Sequence, residues 1–434
     1  MIRMTVPAST TKDITRHSGA RVRHGSERST DLAWLLSPTP VDHFFEACWE
    51  QRHLFIGRVA PDYFSALPGI DDVDELITAT TPGIARSTDD GLLVRADGNG
   101  EPSQRAFRTG ANGIPDIHDI YRAYHDGHSV VLNRLHRRSA PIAALCEALE
   151  AELHHPVGAN MYLTPAHSQG FSAHVDTHDV FILQLHGTKE WHVWSATDEL
   201  PLASAAHQRL HLAADFERCV LLPGDVLYLP RGVPHEAVTS SSSSLHLTVG
   251  IHVYRWLDLL REALEALAMQ RPRLRKALPP GFLDRGITGD QLREVIAEAS
   301  AGLLDEDLMR SVELHLGARL RTEPRVAQPG HFRSIDLITG LTDESRVSRS
   351  TGSICTARTS AGEARIEFAG NYVAGPAAMG PAVRFIAENE QFIVHQIPGD
   401  LSREDRLDLV SRLVSEGLLY LSDINNTTQG NGHV

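Results

Sequence analysis

The chain has 434 residues, 42% hydrophobic and 22% charged, with a formal net charge of −14. That length exceeds one ordinary domain, and about two or three are expected. The acidic balance argues against a general nucleic-acid binder, which needs clustered lysine and arginine, and no run approaches the roughly 18 apolar residues of a membrane helix.

Residues 1–30 are polar and Arg-rich with no apolar stretch, so they read as a disordered leader and not a secretory signal. From Asp31 to about Arg138, short amphipathic helices and loops are expected; VDHFFEACWEQRHLFIGR has helical spacing and then turns strand-like. Between Val157 and Trp256 the pattern becomes short period-2 strands cut by Gly and Pro turns: ANMYLTP, DVFILQL, EWHVW, RCVLL, DVLYLP, HEAVT and SLHLTVGIHVY. Many short strands with turn signals indicate a sandwich or barrel, and residues 31–256 are read as one β-rich domain. Ser240–Ser244 reads as a loop between two of its strands.

Residues 257–323 switch to a helical period with wide apolar faces, a candidate packing or dimerisation module. Residues 324–434 form a third unit. VRFIAENEQFIVHQIPG holds two strands or a strand and a helix, and LSREDRLDLVSRLVSEGLLYL a helix followed by a strand. Ser402 and Asp405 form a capping pair there, Gly417 is a C-cap, and the ending suggests a winged-helix-like domain.

Chemistry concentrates in the strand-rich region. In GFSAHVDTHDV, His174 and Asp176 stand at i and i+2, so on a strand they project to one side. Of the 24 histidines, His174 alone has a carboxylate two residues on. A second histidine would complete the 2-His-1-carboxylate face that leaves Fe(II) with open positions, and His235 in PGDVLYLPRGVPH is placed by a Pro/Gly turn to supply it. His167, His178 and His192 read as loop or exterior residues. His246 and His252 share a face of the last strand; either could stand behind the site's ligands, but both read first as satisfied core or interface histidines.

Iron of this type needs a reducing cosubstrate, and a dicarboxylate such as 2-oxoglutarate needs a buried cation. Arginine has replaced lysine almost everywhere; the three lysines are Lys12, Lys189 and Lys276. In HGTKEWHVW, alternation puts Lys189, Trp191 and Val193 on the more apolar, interior face. A lysine buried there is costly unless an anion accompanies it. Asn160, Tyr162 and Thr164 form a polar face that, turned inward, would offer donors to carboxylates.

Cys48, Cys146, Cys219 and Cys355 stand far apart without a CxxC pair. This argues against a disulfide framework or zinc knuckle and for a reducing, cytoplasmic setting.

The motif G-x5-P-x-G-x2-H is met at Gly224, Pro230, Gly232 and His235, with Thr239 replacing the Asn that often closes it. Together with NMYLTPAHSQGFSAHVDTHDVFILQLHGTKEWHVW and SLHLTVGI, it resembles the cupin superfamily and, within it, the JmjC-type 2-oxoglutarate oxygenases of the ribosomal-oxygenase branch. The resemblance covers about Gly158–Trp256 and continues more weakly beyond. It implies a mainly β core with α additions: a double-stranded β-helix in the catalytic domain 31–256, a helical dimerisation region at 257–323 and a winged-helix-like domain at 324–434. It implies Fe(II) on His174, Asp176 and His235. Lys189 would pair with the distal carboxylate of 2-oxoglutarate, with Tyr162 assisting, Asn160 near the chelating end and Thr248 lining the same site. No side chain beyond the metal centre is needed as a catalytic base. Gly250 departs from relatives that carry a serine there.

The implied activity is hydroxylation of an amino-acid side chain in a protein or peptide, a ribosomal protein among them, with O2 consumed and succinate and CO2 released, by a cytoplasmic homodimer. The same chemistry on a peptide natural product, free amino acid or nucleoside is the first alternative. A non-catalytic cupin acting as ligand sensor is the alternative of another class; few lysines and a charge-mixed C-terminal helix argue against its nucleic-acid-binding form.

Overall fold

The period-2 segments become the strands of two facing sheets. A computed structural model describes residues 12–13, 30–79, 90–96, 103–111, 113–196, 200–202, 212–322, 330–349, 353–368 and 370–421. The leader at 1–30 lies outside them, except that Lys12–Asp13 (β1) form a two-residue strand and residue 30 is described.

The first unit runs mainly from Met1 to His252. Its further strands are β2 (Leu54–Ile56), β3 (Gly91–Arg95), β4 (Ser103–Ala106), β5 (Ser129–Leu132), β6 (Val157–Thr164) and β7 (Asp179–Gly187). They continue with β8 (Lys189–Val193), β9 (Glu217–Leu221), β10 (Val226–Leu229), β11 (His235–Val238) and β12 (Ser244–Ile251). The larger sheet has the order β2-β10-β7-β12-β6-β5-β3-β4, and the smaller β1-β9-β8-β11. All seven strands expected between Val157 and Trp256 form, and the two sheets make the double-stranded β-helix. Residues 31–138 differ from expectation: beside their helices they contribute β3, β4 and β5 to the larger sheet. GLLVR and SVVL are short apolar runs, which periodicity alone does not distinguish from buried helix.

Register decides what faces inward. β12 pairs antiparallel with β6 from Ser244↔Thr164 to Ile251↔Val157, so His246 lies across from Tyr162, Thr248 from Asn160 and Gly250 from Gly158. In β8, Lys189, Trp191 and Val193 are buried while Glu190 and His192 stay partly exposed. Part of the space between the sheets is filled by Val180, Ile182, Trp191, Val193, Cys219, Leu221, Leu227, Leu229 and Val233. The rest opens as a cavity of about 510 Å³, in the range of small-molecule sites. All four cysteines are free thiols.

The second unit comprises Val253–Pro324, Ile335–Arg349 and Ile354–Val434. Helices Trp256–Gln270 and Glu306–Thr322 pack through Ala263, Val312 and Leu316, with Leu303 of helix Gly289–Leu303 against them. Farther on, two three-stranded sheets and the helices Gly380–Glu388 and Arg403–Ser415 share a core built on Ile366, Val383, Ile386, Val410 and Leu413. VRFIAENEQFIVHQIPG resolves as helix, then the strand Gln391–Ile393. Ser402 and Asp405 cap each other reciprocally, and Gly417 takes a positive φ of 91° just past the helix. No described helix is long and apolar enough to cross a membrane.

Candidate active site

The strand reading of His174 and Asp176 is not met: the two lie on a loop, and His174 is held to His235 by one isolated antiparallel bridge. Each backbone N–H donates to the other's carbonyl, at 3.0 and 2.9 Å. Gly232, at φ +83°, makes the turn that returns the chain to His235, and its N–H donates to the Asp176 carbonyl at 2.9 Å. The loop bearing Asp176 is thus fastened to the strand bearing His235 by backbone alone.

The rings are oriented from behind. The Nδ1–H of His174 donates to the Ser172 carbonyl at 2.9 Å, and that of His235 to the Val233 carbonyl at 3.0 Å. Each Nε2 is thereby left as a lone-pair donor for a metal. His235 Nε2 lies 3.7 Å from Asp176 Oδ2, and one ligand atom from each of the three residues falls within 4.8 Å of the others. Burial, helped by His174, pushes His235 down to about 4, so it stays neutral. Burial alone would raise the Asp176 carboxyl, but His235 and the neighbouring imidazoles outweigh it and hold the group below its ordinary value. Two imidazole Nε2 atoms and one carboxylate on one side fit a divalent metal with open positions.

Deeper in the same cavity sits Lys189, 5% exposed. Its Nζ donates to Thr164 Oγ1 at 3.0 Å, and Ser129 Oγ donates to that same oxygen at 3.0 Å. Among the described residues no carboxylate pairs with Lys189, and burial lowers it to about 7. A buried cation without a counter-ion, facing a cavity, fits an acidic ligand.

Tyr162, Asn160 and Thr248 line the space between. Asn160 Oδ1 accepts from the Arg134 N–H at 2.9 Å, which fixes the amide. Burial, with Asp176 adding to it, raises Tyr162 to about 12, so its hydroxyl remains a donor. The structure therefore gathers all seven sequence-selected residues around one cavity.

Other residues of the cavity were not selected. His178, read from sequence as a loop or exterior residue, lines the cavity and stacks on His252 with ring centroids 4.8 Å apart. It rests on Gly250, where a Cβ would come within 2.6 Å of its ring. His136 lies similarly over Gly158, and its Nδ1 accepts from the Ala159 N–H at 3.0 Å. The signal for His178 was its position two residues after Asp176; His136 comes from a distant segment and gave none. His246 is also a correction: it is buried but not satisfied, its Nδ1 having no hydrogen-bond partner among the described residues. His167 is exposed, and His192 lies outside the cavity between Glu190 and Glu236 at 2.9 and 3.0 Å, as expected.

Residues 134–259 match the JmjC domain family. The chain is 31% identical over 306 residues to the bifunctional lysine-specific demethylase and histidyl-hydroxylase NO66 of Dictyostelium discoideum, covering 66% of this chain and 57% of that protein. It is 32% identical over 265 residues to ribosomal oxygenase 1 of Rattus norvegicus, covering 58% of this chain and 42% of the relative. The chain thus spans about half the length of these curated relatives. The structure of Escherichia coli ribosomal oxygenase YcfD aligns with a TM-score of 0.53 at 17% identity, over 88% of this chain and 98% of that one. The same protein solved with cobalt and 2-oxoglutarate gives a TM-score of 0.52 at 16% identity, with the same coverage of both chains. Domain match and fold agree: residues 134–259 match a JmjC domain, and the fold is similar to that of the Escherichia coli ribosomal oxygenase.

Proposed function

We propose that the chain is an Fe(II)- and 2-oxoglutarate-dependent oxygenase that hydroxylates an amino-acid side chain in a protein or peptide. The observation that carries this reading is one cavity holding both a metal-binding triad and a buried lysine with no anion among the described residues. When bound, iron and 2-oxoglutarate would activate O2 for insertion into a C–H bond, with succinate and CO2 released.

The protein's share is placement. His174, Asp176 and His235 would hold the iron. Lys189 takes the distal carboxylate and regains a charge partner, with the Tyr162 hydroxyl assisting. Asn160 and Thr248, cross-strand neighbours, flank the chelating end. Trp191 and Phe171 wall the cavity and limit water.

The cobalt and 2-oxoglutarate in the Escherichia coli protein and the names of the rat and Dictyostelium relatives support this reading, and make a ribosomal protein the first substrate to test. The domain assignment goes with it: a leader at 1–30, the catalytic domain at 31–256, a dimerisation region at 257–323 and a winged-helix-like domain at 324–434, in a cytoplasmic homodimer. Exposed Trp256, Leu260, Leu264, Leu292 and Ile296 on the helical region support the dimer.

The test is incubation of the iron-loaded protein with 2-oxoglutarate and purified ribosomal proteins, reading succinate and a mass gain of one oxygen atom. Both are expected, and both should vanish in His174→Ala. Oxygen gained by a peptide, free amino acid or nucleoside instead would move the substrate and keep the chemistry. No succinate from fully iron-loaded protein with any of these would overturn the enzyme reading in favour of a ligand-binding cupin.

A further inference from the structure

His246 is 3% exposed and lines the cavity, yet its buried Nδ1 has no hydrogen-bond partner among the described residues. A buried imidazole left unsatisfied costs free energy that an apolar ring would not, so its retention calls for a partner the protein itself does not supply. The ring is held from two sides. It stacks parallel to Tyr162, with centroids 4.9 Å apart and planes 4° apart, and Trp191 meets it edge-on at 5.5 Å and 79°. Rotation out of the cavity is therefore blocked.

The position is informative as well. His246 lies directly across from Tyr162 in the β6–β12 register, two rows deeper than the Gly158–Gly250 pair at the histidine-covered end. Lys189 is near enough for its ammonium to act on the imidazole. Burial first, and that ammonium second, hold the imidazole well below its ordinary range. A neutral imidazole keeps one N–H to donate, and the neighbouring ammonium marks where an anion would sit.

We infer that His246 is a positioning residue for the acidic cosubstrate, donating a second hydrogen bond beside Lys189 to the distal carboxylate. This rests on the cosubstrate reading above. Two donors converging on one carboxylate select a dicarboxylate over a 2-oxo acid that carries only the chelating end. The stack also fixes the Tyr162 ring, so the deep end recognises its ligand as a unit of three side chains.

The test is calorimetric titration of 2-oxoglutarate and of 2-oxobutyrate, which lacks the distal carboxylate, into Mn(II)-loaded protein. His246→Phe keeps the stacked ring and removes the donor. It should weaken 2-oxoglutarate by about ten- to a hundred-fold, the range of one hydrogen bond to a charged group, and leave 2-oxobutyrate unchanged. His246→Gln should recover part of the loss. If His246→Phe does not fold, His246→Met carries the same comparison. Wild-type affinity for 2-oxoglutarate in these variants, or equal loss of both ligands, would overturn the inference. Lys189→Met separates the two claims. If it loses 2-oxoglutarate while His246→Phe does not, only the role of His246 fails. If Lys189→Met also binds normally, the cosubstrate reading itself fails.

Discussion

The two ends of the cavity are built on opposite principles. At the triad, both histidine Nδ1 atoms are bonded to carbonyls and the backbone ties both ligand-bearing segments together. At the deep end, among the described residues, Lys189 has a single hydroxyl acceptor and the buried Nδ1 of His246 has no partner. The first end is complete without its ligand except for the ligand itself, and gains rigidity from β-pairing. The second stores an unfavourable burial that an anion relieves. Preorganisation thus comes from backbone geometry at one end and from withheld electrostatic compensation at the other.

The largest expected effect breaks the first end. Asp176→Ala should cost metal affinity more than the roughly ten- to hundred-fold lost when a partner behind a ligand is removed, measured by competition against a chelating dye. A loss below tenfold would mean that the triad is not the metal's main seat.

Next comes Lys189→Met, which should weaken 2-oxoglutarate by about a hundred-fold or more, since it leaves a buried carboxylate uncompensated. The same substitution should raise the melting temperature of the ligand-free protein, because it removes a buried cation that lacks a counter-ion. A drop in melting temperature would show that the deep end is not strained as described.

The pH dependence of that difference sharpens the contrast. Folded Lys189 titrates at about 7 against an ordinary 10.5. Below 7 both folded and unfolded chains hold the proton, and the whole burial penalty is present. Between 7 and 10.5 only the unfolded chain holds it, so this lysine's contribution to stability becomes more favourable as pH rises. The melting advantage of Lys189→Met over wild type should therefore be flat below pH 7 and shrink toward pH 10. An advantage that grows with pH would reverse the assignment.

The smallest effect belongs between the two ends. Gly250→Ser forces the His178 ring to move, at a cost of about 1–3 kcal/mol typical of overpacking, while metal and 2-oxoglutarate affinities stay near wild type. His178→Ala should restore the lost stability in the double variant, read by denaturant unfolding. Failure of that rescue would separate Gly250 from His178.

Much of this was legible in the sequence, for identifiable reasons. Short apolar segments cut by turns marked the barrel strands, with alternation clearest in β8, and His174–Asp176 stood out by its spacing although the structure places it on a loop that meets His235 through one isolated bridge. Lys189 stood out because the chain otherwise avoids lysine. What stayed hidden depends on tertiary approach. Ser129 reaches Thr164 from a strand that local pattern did not reveal, and His136 arrives over Gly158 from the connection preceding a helix. His246 was visible as an inward residue, but its missing partner is a property of the packed surroundings.

The reciprocal hydrogen bonds between His174 and His235 have a consequence for exchange with solvent. Both imidazoles that would face the metal hang from the two ends of one closed loop of roughly sixty residues, whose neck is that pair of amides beside the Gly232–Asp176 hydrogen bond. A metal ion gripping both rings would act as a clasp on the neck, from the side-chain direction, while the peptide groups clasp it from behind. Withdrawing the ion with a chelator should then accelerate deuterium uptake at those two amides ahead of the strands β7 and β12, making the neck a local gauge of whether the centre is loaded.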